Sequence, residues 1–132
     1  MKKRERILVV EDDAPSRAIM ADALVDAGYA VDEAGDGYEA LFLAARSTPD
    51  LVLSDLSMPG LDGVELTQRL HAFAGEVPVI LTTGLEETHD LLTLAQDYGA
   101  VACLKKPMSL DELLWVIDRA LATRDVHANP PS

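Results

Sequence analysis

Cysteine is almost absent from this chain. Cys103 stands alone, so no internal disulfide can form and no paired-cysteine zinc site is possible. Histidine is nearly as scarce: His71, His89 and His127 show no ligand spacing and read as solvated helix or tail residues. Aromatic residues make up 5% of the chain against 48% apolar overall, so the core must be built mostly from Leu, Val, Ile and Ala. No apolar run approaches the roughly 20 residues that a membrane-spanning helix needs. Behind the basic start Met1-Lys2-Lys3-Arg4-Glu5-Arg6, the run from Ile7 to Val10 is too short for a signal peptide. A cytoplasmic location with no membrane partner is therefore expected. Basic residues are also in deficit, 11 against 23 acidic, for a formal charge of −12. That balance argues against direct nucleic-acid binding, which needs a basic surface to displace counterions, and favours cationic patches or metal ions as partners.

What is present is a repeating alternation within 132 residues, a length that suits one domain with a single core. Arg6 to Val10 reads as a buried strand ending on Glu11-Asp12-Asp13. Asp13 is a candidate N-cap, Pro15 fits a first helical turn, and Ile19, Met20, Ala23, Leu24 and Ala27 form the expected inner stripe before Gly28 stops the helix. A second strand follows at Tyr29 to Ala34, then a helix from Tyr38 to Arg46 with Ala40, Leu41, Ala44 and Ala45 as its apolar content. Leu51-Val52-Leu53 is a continuous apolar run ending on Asp55, followed by the Met58-Pro59-Gly60 and Asp62-Gly63 turns. A third helix is expected over Val64 to Phe73, with Leu66, Leu70 and Phe73 inward. A fourth strand is expected over Val77 to Gly84, and a fourth helix over Glu86 to Asp97 with Leu91, Leu94 and Ala95 inward. Ala100 to Leu104 reads as the fifth strand. Ser109 and Glu112 mark a capping box for a last helix whose stripe is Leu110, Leu113, Leu114, Ile117 and Leu121. Residues 125–132 are polar and expected to be a disordered tail to a domain of residues 1–124. Alternating strands and helices of these lengths require parallel pairing. The expected fold is an α/β, three-layer, doubly wound (flavodoxin-like) five-stranded parallel sheet of order 2-1-3-4-5 with five helices.

In such a sheet the carboxyl ends of the strands open onto one edge. Here they carry Glu11-Asp12-Asp13, Asp55, Thr82-Thr83-Gly84 and Lys105-Lys106-Pro107. Two carboxylates a few ångströms apart raise each other's pKa unless a positive charge stands between them. Hard carboxylate oxygens suit Mg2+, and a lysine supplies a fixed cation. A carboxylate, a metal, a cation and a hydroxyl around one point suit in-line phosphoryl transfer, with the carboxylate as nucleophile.

At this point the chain resembles the receiver domain of two-component response regulators, of the stand-alone, chemotaxis type, from about Arg6 to Leu121. The matching stretches are Leu8-Val9-Val10-Glu11-Asp12-Asp13, Asp55-Leu56-Ser57-Met58-Pro59-Gly60-Leu61-Asp62-Gly63, Pro78-Val79-Ile80-Leu81-Thr82-Thr83-Gly84 and Lys106-Pro107. The resemblance implies that Asp55 is the phosphoacceptor. It implies Mg2+ held by Asp12 directly, by Glu11 through water, by Asp55, and by the backbone carbonyl of Ser57. Thr83, beside the small Gly84, would be the phosphate-sensing hydroxyl, and Lys106, directly before Pro107, the phosphate-pairing cation. A histidine kinase or phosphotransfer protein would be the donor. The protein would catalyse only its own phosphorylation and dephosphorylation, as a monomer or a weak phosphorylation-dependent dimer. The output face would be the fourth helix, fifth strand and fifth helix, acting on a downstream protein that the sequence does not name.

Two positions depart from the family pattern. Cys103 stands where the family usually carries a Tyr or Phe switch residue, and Gly84 where Ala is usual. Trp115 points off the stripe of the last helix, and Leu92 off that of the fourth, so both are candidates for a partner contact on the output face. Two alternatives accompany this assignment. One is a receiver cut from a larger regulator or hybrid kinase. The other is a phosphatase-like hydrolase with an aspartate nucleophile; that class wants a second acid at the position of Ser57.

Overall fold

The computed structural model describes residues 4–84 and 91–128, with side chains described as far as Thr123. Five strands, β1 (Arg6–Val10), β2 (Ala30–Ala34), β3 (Leu51–Asp55), β4 (Val79–Thr83) and β5 (Ala102–Lys105), alternate with five helices. The helices are α1 (Ala14–Asp26), α2 (Gly37–Arg46), α3 (Gly63–Ala74), α4 (Leu91–Tyr98) and α5 (Leu110–Ala128). All pairings are parallel and the order is β2-β1-β3-β4-β5, the expected doubly wound sheet.

Alternation along each strand sends neighbouring residues to opposite faces, which divides the core in two. Leu8, Val10, Val52, Val79, Leu81 and Cys103 pack with α2, α3 and α4. Ile7, Val9, Leu51, Leu53, Ile80 and Leu104 pack with Leu24 of α1 and with Leu113, Ile117 and Leu121 of α5. The sheet is thus apolar on both faces, as its continuous apolar runs require. Helix starts follow local chemistry: Asp13 accepts from Ser16 N, Asp36 from Glu39 N and Asp62 from Glu65 N, while Ser109 Oγ accepts from Glu112 N.

Several expected details change. Ile19 is 71% exposed and Ala27 lies beyond α1 on the surface, because the buried line of α1 runs through Met20, Ala21 and Leu24. Phe73 is 50% exposed. After Leu70 the buried line of α3 steps four residues to Ala74 rather than three to Phe73. Leu110 is 48% exposed, and Met108 packs against that core cluster ahead of the helix. Ala45 is exposed as well. β4 begins after Pro78, whose missing N–H cannot join the ladder; its carbonyl accepts from Val52 N at 2.9 Å. α5 continues past Arg124 to Ala128, a stretch that contains neither glycine nor proline. Glu86 to Asp90, including His89, lie outside the described residues, as do residues 129–132.

The loop after β3 is clamped by close packing. A Cβ on Gly63 would stand 2.6 Å from Asp55 O, and one on Gly37 2.8 Å from Leu61 O. Gly63 N donates to Leu56 O at 2.9 Å, and buried Thr67 Oγ1 donates to Gly63 O at 2.7 Å. The start of α3 therefore presses on the backbone of Asp55 itself. Gly63→Ala is expected to cost about 1–3 kcal/mol in urea denaturation through this overpacking. Gly84→Ala, with no atom of the described residues within 4 Å of the added carbon, should change stability by less than about 0.5 kcal/mol. Equal stability of the two variants would contradict the clamp.

Candidate functional site

Register brings the strand ends together. Val10 of β1 pairs with Ser54 of β3, so the next residues, Glu11 and Asp55, emerge side by side. Asp55 pairs with Thr82 of β4, and Thr83 pairs with Lys105 of β5, which puts Lys106 one step beyond. Main-chain bonds carry the ladder past the strand ends: Glu11 N donates to Ala34 O at 3.1 Å, Leu56 N to Thr82 O at 2.8 Å, and Lys106 N to Thr83 O at 2.7 Å. The Lys106–Pro107 peptide is cis.

Glu11, Asp12 and Asp55 each offer a carboxylate oxygen within 4.8 Å of the other two. Lys106 Nζ lies between two of them, 3.1 Å from Glu11 Oε1 and 3.2 Å from Asp55 Oδ2. Glu11 is 2% exposed, Asp55 is half-buried and Asp12 is exposed. Burial pushes the Glu11 carboxyl above its ordinary 4.5; the Lys106 hydrogen bond opposes this in part, and the charge of Asp55 reinforces it. Burial draws the Lys106 ammonium down, but its hydrogen bonds to and attraction by Glu11 and Asp55 outweigh this and leave it above 10.5.

The cluster fits a hard divalent cation. Glu11 Oε2 is buried with no hydrogen-bond partner among the described residues, which is costly for a carboxylate oxygen. If all three acids ionise, one ammonium leaves the group with a formal charge of −2. Oxygen ligands and that residual charge are what Mg2+ takes. Thr83 is fully buried at the end of β4, and Ser57 is exposed in the loop two residues after Asp55.

The remaining candidates stand apart from this group. Cys103, in register with Leu81, is buried against the α2–α4 side of the core. Trp115 is 62% exposed on α5, with the Arg119 guanidinium carbon 5.2 Å from its ring centroid. It helps line a groove of about 1080 Å3 that also touches Pro49, Val77, Pro78 and Val101, toward the amino-terminal ends of the strands. The hollow and the carboxylate cluster are thus at opposite ends of the sheet. The structure gives two further residues a part in the site: Gly63, read in the sequence as a turn residue and now beneath Asp55, and Arg17, whose Nη1 donates to Glu11 O at 2.6 Å. A cation in the first turn of a helix, where the dipole favours acids, is a sequence signal that points to Arg17.

The raised pKa of Glu11 has a definite sign. The folded chain keeps this proton to higher pH than the unfolded chain, so ionising Glu11 costs stability; the cost is absent well below pH 4.5 and grows as pH rises through the raised value. In EDTA at pH 7, Glu11→Gln should therefore unfold a few degrees above wild type. The gap should close at about pH 4. It should also close on adding Mg2+, which stabilises the wild type by mass action. A variant no more stable than wild type in EDTA would contradict this balance.

Comparison with known proteins agrees with the geometry. A family model for the response regulator receiver domain matches residues 7–118. The transcriptional regulatory protein PdtaR of Mycobacterium tuberculosis is 39% identical over 118 residues, covering 89% of this chain and 57% of that protein. The response regulator MprA of Mycobacterium leprae is 39% identical over 119 residues, covering 90% of this chain and 51% of its own length. The chain thus spans about half the length of these curated relatives. Sporulation initiation phosphotransferase F of Bacillus subtilis is 32% identical over 117 residues, covering 89% of this chain and 94% of that protein. Among solved structures, the chemotaxis protein CheY4 of Vibrio cholerae superposes with a TM-score of 0.81 at 28% identity, covering 89% of this chain and 99% of that one. With the family match spanning most of the chain and the strand order the same as in these receivers, the chain belongs to the response regulator receiver domain family of two-component systems.

Proposed function

We propose that this receiver accepts a phosphoryl group on Asp55 from the phosphohistidine of a histidine kinase or phosphotransfer protein, in the cytoplasm and in the presence of Mg2+. The observation that carries this reading is the Lys106 ammonium shared between Asp55 and Glu11, beside a buried carboxylate oxygen with no partner among the described residues. Glu11, Asp12, Asp55 and the Ser57 carbonyl would hold the ion, and the ion's chemistry is to neutralise charge on the transferring phosphoryl group.

The chain's own residues do the rest. An Asp55 carboxylate oxygen attacks phosphorus in line, the P–O bond forms, the P–N bond to the donor imidazole breaks, and the imidazole nitrogen keeps the electron pair. Lys106 pairs with phosphoryl oxygens as charge builds on them. Thr83, at the end of β4 beside the Lys106 backbone, supplies a hydroxyl to the same group. The new charge then biases the α4–β5–α5 face, where Leu92 and Trp115 are exposed, toward binding a downstream protein. Cys103 takes the place of the aromatic switch as a packed core residue, so the readout runs through helix and loop displacement without a swinging ring. With a formal charge of −12 the partner is a protein surface carrying positive charge, not nucleic acid. The chain acts catalytically on itself alone.

Incubation with a small acyl phosphate and Mg2+ should modify one site, with no labelling in Asp55→Ala or in EDTA. Lys106→Ala should lower the rate by roughly 10- to 100-fold. Undiminished labelling of Asp55→Ala would sink the assignment, and steady turnover of a phosphate ester would favour a hydrolase instead.

A further inference from the structure

Two adjacent acids do not naturally face the same point. On an extended chain, successive side chains leave on opposite sides. Yet Glu11 and Asp12 both come within 4.8 Å of Asp55. The chain must therefore turn at the peptide that joins them, immediately after β1. The carbonyl of that peptide is Glu11 O, and Arg17 Nη1 donates to it at 2.6 Å. The preceding peptide is held too, by Glu11 N donating to Ala34 O at 3.1 Å. Both peptide units flanking the Glu11 Cα are thus fixed from outside the cluster.

Arg17 is housed for this contact. It sits at the fourth position of α1, where the helix dipole disfavours a cation, and its side chain is only 21% exposed. Its Nε lies 3.4 Å from Glu33 Oε1 of β2, a contact separate from the one Nη1 makes to the Glu11 carbonyl. Gly35 leaves room for it: a Cβ there would stand 3.3 Å from Nη1. The pair with half-exposed Glu33 is of the kind that contributes little by itself. The charge-assisted bond to a carbonyl is the stronger contact and the one aimed at the site.

We propose that Arg17 is a positioning residue for the acidic pair: by holding the peptide between Glu11 and Asp12 it keeps both carboxylates facing Asp55 and raises the affinity of the site for a divalent cation. This rests on the reading of Glu11, Asp12 and Asp55 as a divalent-cation site. The test is Mn2+ binding by the full chain, followed by electron paramagnetic resonance of the free ion. Arg17→Met keeps the aliphatic stem and removes the donors, and it should weaken Mn2+ binding by about tenfold. Arg17→Lys, which can still donate to the carbonyl, should recover part of that loss. Glu33→Gln leaves the carbonyl bond in place and should stay within about twofold of wild type. Should Arg17→Met fail to fold, Arg17→Gln, shorter and solvated, carries the same expectation. Unchanged Mn2+ affinity in the folded variant, with or without a lower unfolding temperature in EDTA, leaves Arg17 a structural role only and overturns the proposal. An equal loss in Glu33→Gln overturns it as well. A wild type that takes up no Mn2+, or an Asp55→Ala that binds it undiminished, sinks the metal-site reading itself.

Discussion

Lys106 reaches Glu11 at 3.1 Å and Asp55 at 3.2 Å, and the whole carboxyl edge of the sheet depends on that shared ammonium. Unit charges about 4 Å apart interact by roughly 4 kcal/mol at an effective dielectric near 20, before desolvation is counted. Glu11 is almost wholly buried, so desolvation is large, and the raised pKa of its carboxyl shows that the lysine does not cancel it. Lys106 alone therefore leaves the three acids electrostatically unbalanced. That condition suits a group whose work is to receive further charge together with a cation. A phosphoryl group on Asp55 would replace one carboxylate charge by an acyl phosphate of about two, adding roughly one negative charge to a cluster served by one ammonium. Competition for Lys106 between Glu11 and the phosphoryl oxygens is then the simplest local event by which modification could alter the edge.

The fold makes this cluster by register. In the order β2-β1-β3-β4-β5, Glu11 and Asp55 are neighbours because Val10 and Ser54 are paired, and Lys106 arrives because Thr83 and Lys105 are paired. A slip of one residue in either pairing would turn these side chains to the other face. The buried residues of β1, β3 and β4 hold the register from both sides, so core packing and site geometry share one constraint. Gly63 extends it into the loop, where the absent Cβ lets α3 close directly on the Asp55 carbonyl.

Much of this was legible in the sequence because it is written in short apolar runs that stop on a charge. Val10 before Glu11, Ser54 before Asp55 and Leu104 before the lysines mark strand ends to within one residue, and alternation with helices dictates parallel pairing. Helix faces were less legible. In α1, apolar residues surround the helix, and nothing in Ile19, Met20, Ala21, Ala23, Leu24 and Val25 says which line meets the sheet. In α3, the choice between Phe73 and Ala74 as the inner residue depends on where the helix lies on the sheet, a tertiary fact. Arg17 escaped notice for another reason: its contact is to a backbone carbonyl, which leaves no pattern of residue types. Its place against the helix dipole was the only local hint.

The central claim is that Asp55, among the three clustered acids, carries the phosphoryl group, and that it does so only with a divalent ion present. Borohydride reduction of the phosphodonor-treated protein, followed by peptide mass spectrometry, tests it directly, because an aspartyl phosphate is reduced to homoserine. The account predicts homoserine at Asp55 when Mg2+ is present, and aspartate there when it is chelated. Homoserine at another acid, or at Asp55 regardless of Mg2+, would contradict it.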